Sequence, residues 1–220
     1  MSVRLGCLAA ALTVAMGIPA MGNAQMVTPL PEIWPRWAPS VATKPVYVYY
    51  VLPPACDNDV LYGLNKWNAA GARFAFTWPS SPVTEYRNNE LGIAEDMARI
   101  TVEDGVMPSD SPNAQAATSL SVGSDGYLKD ADIFINENYL FWGTNDTGDF
   151  FCTGNGTALP PSNKYDYLTV ITHELGHAIG FQEYPEESRC IMYPTLAYGQ
   201  YRRNLCNAEY AAFRNVYGVR

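Results

Sequence analysis

Only two histidines occur among the 220 residues, and they stand four apart, in His173-Glu174-Leu175-Gly176-His177. Four residues is about one helical turn, so a helix here puts both imidazoles on one face, where they can share one metal ion. This constrains the fold more than any bulk property does. The segment must be helical, that face must look into a cavity, and a further ligand must arrive from elsewhere in the chain. Tyr167 to Gly180 reads as the helix. Zinc held by two imidazoles and a third group keeps an open position and lowers the pKa of a bound water toward ~7. Glu174, between the histidines but not needed as a ligand, is placed to take that water's proton and pass it to a leaving amine.

Two positions beyond the histidines fit this picture. Gly180 can take the positive φ that ends a helix and turns the chain back. Three residues later comes Glu183. His173 to Glu183 thus resembles the metzincin signature H-E-x-x-H-x-x-G-x-x-H, with Glu183 where that family has its third histidine. Cys190-Ile191-Met192-Tyr193-Pro194 is similar to the Met-turn of the same family, and the stretch ending Phe213-Arg214-Asn215-Val216-Tyr217-Gly218 is similar to the last helix of the matrixin subgroup. Trp67-Asn68 with Phe74, and Asp130-Ala131-Asp132-Ile133, resemble upstream parts of matrixin catalytic domains.

The resemblance implies one catalytic zinc on His173, His177 and Glu183, with Glu174 as general base and Met192 as an apolar floor beneath the ligands. A carboxylate ligand is common in other zinc peptidases and acidifies bound water less than a neutral imidazole would. Glu186 and Glu187 in the following loop are the alternative third ligands. By the same resemblance, an extended polypeptide substrate pairs with an edge strand near Ala117–Val122. Residues Pro194 to Tyr198 wall the pocket beside the metal, and Tyr193 or Tyr198 is a candidate oxyanion donor. No histidine is left for the second zinc of matrixins, and no cysteine stands in the right place for their latency switch.

Residues 1–24 read as a signal peptide: Arg4, an apolar run from Leu5 to Ile18, and small residues at Gly22-Asn23-Ala24. The run is shorter than the ~20 residues of a membrane span. The chain is therefore expected to be secreted, extracellular or periplasmic, and not to act at a membrane. Its formal net charge of −8 also argues against nucleic acid as a partner. In an oxidising compartment Cys56, Cys152, Cys190 and Cys206 imply two disulfides out of three possible pairings, and proximity favours Cys190–Cys206 with Cys56–Cys152. No C-x-x-C spacing supports zinc binding by these cysteines.

The proline-rich stretch 25–43, with Trp34 and Trp37, reads as an extended surface arm, followed by one catalytic domain over 44–220. Within that domain, strands are expected over Pro45–Val51, Ala72–Trp78, Ala98–Val102 and Asp130–Asn136. Helices are expected over Asp57–Gly71 and Ala208–Tyr217, in addition to the histidine helix. Residues 103–126 read as turn-rich and polar. The order gives an α+β class, and the resemblance sharpens it to a twisted, mostly parallel sheet with an active-site helix, a Met-turn and a C-terminal helix. Asp125, Asp130, Asp132, Asp146 and Asp149 are candidate calcium ligands in Gly- and Asn-rich loops. The functional expectation is a monomeric, exported zinc endopeptidase acting on polypeptides. Its rival is a non-catalytic binding protein on the same scaffold.

Overall fold

A computed structural model of the chain describes residues 29–48, 53–78, 100–105, 107, 112–136, 138–139 and 148–220. The segment expected as a signal peptide and Asp146 lie outside these residues. Among the described residues no helix is long and apolar enough to cross a membrane.

The architecture is α+β. Eight strands (β1 Arg36–Trp37, β2 Thr43–Val48, β3 Ala75–Thr77, β4 Ile100–Gly105, β5 Ala116–Val122, β6 Tyr127–Asn136, β7 Phe150–Phe151, β8 Tyr165–Asp166) join three helices (α1 Pro54–Ala69, α2 Tyr167–Ala178, α3 Asn207–Tyr217). The main sheet runs β1-β6-β4-β2-β3, and every one of these pairings is parallel. Only β5 is antiparallel, on the other side of β6. The parallel pair β2/β3 requires a crossover, and α1 supplies it.

Each element follows from its residues. β6 carries Leu128, Ala131, Ile133 and Ile135 into the core, in register with Ile100 and Val102 of β4. α1 starts at Pro54, three residues before the expected start, because proline's fixed φ suits the first helical turn. Its buried face, Cys56, Val60, Leu64 and Trp67, lies against α2. Gly63 allows this contact, since a Cβ there would sit 3.0 Å from the Thr172 hydroxyl. Trp67 seals the junction by donating from Nε1 to the Thr172 carbonyl (2.9 Å) and by packing on Phe181 and Phe213.

Two sequence expectations are corrected. The stretch around 29–37 is not a surface arm throughout: Leu30, Glu32 and Trp34 are exposed, but Ile33 and Trp37 are buried. β1 pairs with β6, Trp37 is 1% exposed, and its Nε1 donates to the Ala178 carbonyl at the end of α2. The physical reason is that the Trp37 indole and Ile33 have apolar area to bury, and the end of α2 offers backbone acceptors. Residues 116–122, inside the stretch read as turns, form β5. Their serines and threonines hide the strand in composition, although the family resemblance placed an edge strand there.

Both expected disulfides are present: Cys56–Cys152 ties α1 to the loop before β8, and Cys190–Cys206 brackets the chain from the Met192 turn to α3.

Candidate active site and metal centre

α2 begins at Asp166, whose carboxylate accepts from Thr169 N (3.1 Å) as an N-cap. The same carboxylate binds the Arg203 guanidinium through two bonds of 2.9 and 2.5 Å in a buried pair. Both charges are out of water and each satisfies the other, so the start of the helix is fixed.

About two turns later, His173 and His177 project from one face. Nδ1 of His173 lies 2.8 Å from the Ile191 carbonyl, and Nδ1 of His177 lies 2.7 Å from the Phe181 carbonyl. Carbonyl oxygens only accept, so each Nδ1 carries the proton and each Nε2 presents its lone pair. The two Nε2 atoms are 3.0 Å apart, and Glu183 Oε1 lies 3.6 Å from both. A circle through these three atoms has a radius of about 2.0 Å, within reach of the ~2.0–2.2 Å bonds of zinc to nitrogen and carboxylate oxygen. Two imidazole nitrogens and an anionic oxygen converge on one point, and a cation placed there would satisfy all three. The residues therefore fit a zinc ion.

Burial alone would raise the Glu183 carboxyl, but wherever His173 and His177 are protonated their hydrogen bonds and charge outweigh it and hold it at about 2. Glu187, by contrast, is engaged with Arg189 and Cys190. Among the described residues the only other cluster with metal-ligand spacing is Glu187 with Cys190 and Cys206, whose sulfurs are joined in a disulfide. Asp125 pairs with Lys129, Asp132 accepts from Thr101, and neither belongs to a cluster of metal-ligand spacing.

Gly180 makes the turn that returns Glu183 to the histidines. Its φ is +93°, and a Cβ there would fall 1.9 Å from the Pro35 carbonyl oxygen, so only glycine fits. Met192 lies beneath the helix: a Cβ at Gly176 would sit 2.3 Å from its sulfur and 2.8 Å from Trp67. The glycine between the histidines is thus what lets the thioether floor approach. Tyr184 N donates to Met192 O (2.7 Å), closing the loop from Glu183 back to this turn.

Four contributors were not visible to sequence reasoning. Thr118 on β5 donates its hydroxyl to Glu174 Oε2 at 2.7 Å. Glu209, fully buried in α3, accepts from Met192 N and Cys206 N, each at 2.7 Å, and burial raises its pKa against the pull of those bonds. Its place three residues after Cys206 is a capping-box spacing, a signal that could have been read. Asp166–Arg203 is the third contributor and Arg202 the fourth. Nothing local in the sequence marks either.

Thr118 and Arg202 border a cavity of about 350 Å³ that is also lined by Val170, Leu196, the two histidines, Glu174 and Glu183. Tyr193 also lines it. Tyr198 is instead stacked on Tyr165, with ring centroids 4.1 Å apart, and is not part of the lining.

A search of curated proteins finds no match. Among solved structures, the chain is similar to high choriolytic enzyme 1, a hatching enzyme zinc-protease from the medaka Oryzias latipes, at 14% identity over 86% of this chain and 95% of that one, with a TM-score of 0.44. It is similar to myroilysin at 11% identity over 84% and 96% of the two chains, also with a TM-score of 0.44. The matrixin profile matches residues 66–218, from α1 through α3 and across the whole histidine helix, Gly180 turn and Met192 turn. On that match the chain belongs to the matrixin family of zinc metallopeptidases.

Proposed function

We propose that this chain is an exported endopeptidase in which His173, His177 and Glu183 hold one catalytic zinc and Glu174 is the general base. Residues 1–24 would be removed on export, and the remainder would act as a monomer on polypeptides. The observation that carries the reading is the placement of Glu174. Its carboxylate borders the cavity next to the convergent Nε2 atoms, and the Thr118 hydroxyl occupies Oε2, leaving Oε1 for a proton.

Zinc on this ligand set supplies Lewis acidity to the reacting carbonyl and water. The chain's own residues do the rest. Among the described residues β5 pairs only with β6, so its outer backbone edge can receive an extended peptide as an added strand, with the scissile carbonyl over the cavity. Thr118 keeps the Glu174 carboxylate in one orientation. Glu174 takes a proton from the attacking water and delivers it to the amine nitrogen as the C–N bond breaks. Tyr193, which lines the cavity, would be the donor toward the developing oxyanion.

The test is Glu174→Ala. The variant should keep one zinc per chain and lose about 10²- to 10⁴-fold in peptide hydrolysis. Hydrolysis at the wild-type rate would sink the proposal.

A further inference from the structure

The cavity holds one cation that the chemistry above does not use. Arg202 lines it together with Val170, Leu196 and Glu174. Its guanidinium is held in place: Nη2 donates to the carbonyls of Thr195 and Tyr193, and Cζ lies 5.4 Å from the Tyr193 ring centre. Its backbone N–H is fixed to the Thr169 hydroxyl at 2.8 Å. These contacts restrain the side chain before any ligand arrives, so little freedom is left to lose on binding.

What it lacks is an ion-pair partner, since Glu209 and Glu183 act on it only at longer range. The neighbouring Arg203 has two bonds to the Asp166 carboxylate, whereas no carboxylate among the described residues lies within ion-pair distance of Arg202. Its Nε is buried and makes no hydrogen bond. Burial also pulls its pKa down, an effect that a bound carboxylate would reverse. The chain carries 22 acidic against 14 basic residues, so this is not part of a general basic surface. The other charged groups facing the cavity, Glu174 and Glu183, would repel an acidic group from their end and leave Arg202 as its place to settle.

The geometry points to Arg202 as a carboxylate receptor within the substrate cavity, selecting peptides that present an acidic side chain or a free C-terminal carboxylate next to the cleaved bond. This rests on the peptidase reading of the same cavity. A lysine or arginine side chain placed there would meet like charge, and a purely apolar one would leave the half-buried cation without an ion-pair partner.

The experiment compares hydrolysis of a blocked peptide series in which the residue on either side of one cleavable bond is Leu, Asn or Asp. A matched pair ends just beyond that bond in a free acid or in an amide. Asp should exceed Asn, or acid exceed amide, by roughly tenfold or more in kcat/KM, mostly through KM, the scale of a charge-assisted hydrogen bond. The ratio should collapse toward one in Arg202→Gln and persist in part in Arg202→Lys. An Asp preference with blocked ends identifies an acidic side chain as the ligand, and an acid-over-amide preference identifies the C-terminus. A wild-type ratio of one in both pairs, or one unchanged in Arg202→Gln, overturns the inference. Should Arg202→Gln not fold, the wild-type ratios and Arg202→Lys decide it. If no peptide is cut, peptide dissociation constants measured on the wild-type chain by fluorescence anisotropy separate the two claims. A carboxylate preference in binding keeps the Arg202 assignment while the endopeptidase reading falls, and equal binding removes the Arg202 assignment.

Discussion

Behind helix α2, the Gly180 turn rests on groups whose hydrogen bonds end within the protein. In front of it, the groups bordering the cavity keep donors and acceptors to spare. At the back, Trp34 N donates to Gly180 O, Trp37 Nε1 to Ala178 O, the Tyr217 hydroxyl to Ile179 O, and Glu209 receives Met192 N. At the front, β5 has one open edge, each histidine has an uncommitted Nε2, and Arg202 has no carboxylate. One helix carries both sides. The contrast separates holding from reacting: polar groups with every partner inside the protein fix position, and those left incomplete are available to ligand, substrate or proton.

If this division is right, substitutions at the back cost stability and those at the front cost activity. The largest effect should come from Trp37→Ala, which removes a buried indole and its bond to α2. A loss of about 3–5 kcal/mol is expected in urea denaturation, and a loss below about 1 kcal/mol would make the arm a surface feature after all. Glu209→Ala strands the Met192 and Cys206 N–H groups, for about 2–4 kcal/mol. It should also weaken zinc retention on dialysis, because the Met192 turn loses its tether.

Tyr217→Phe should cost about 1–2 kcal/mol at neutral pH, because the Ile179 carbonyl loses its donor. Burial raises the Tyr217 phenol well above the usual value, with Trp37 N and Arg36 pulling the other way. A raised folded pKa means the contribution is complete below the ordinary tyrosine value of about 10 and disappears as pH climbs through the folded value. The gap in melting temperature between wild type and Tyr217→Phe should therefore shrink above about pH 10. Smallest is Thr118→Val at the front. It should lower kcat by about tenfold or less with KM and the urea midpoint nearly unchanged, and Thr118→Ser should restore the rate. A stability loss from Thr118→Val equal to that of Tyr217→Phe would erase the distinction between the two sides.

The front was legible in sequence where the constraint is local. Helix spacing pairs His173 with His177, and the glycine at 180 brings Glu183 to them; the structure brings neither Glu186 nor Glu187 into that cluster. Helix α2 ends two residues before the expected Gly180 because Ile179 has already left helical geometry. The disulfide pairing followed from proximity in the chain. Apart from the Glu209 capping box, the back was illegible because its bonds join residues far apart: Trp37 to Ala178 spans 141 positions and Trp67 to Thr172 spans 105. No periodicity records such a contact. Thr118 and Arg202 were missed for the same reason, since a threonine in a polar stretch and an arginine in a loop become informative only once their neighbours are known.

The seating of Trp37 has a consequence in time. Its indole waits for Ala178, and its backbone N–H for the Tyr217 hydroxyl at 3.2 Å. A growing chain makes the tryptophan 180 residues before the tyrosine. Until α3 has been made, the turn that carries Glu183 has only the Trp34 and Trp37 bonds behind it, and a chain cut short anywhere before α3 cannot assemble the full support of the candidate metal centre.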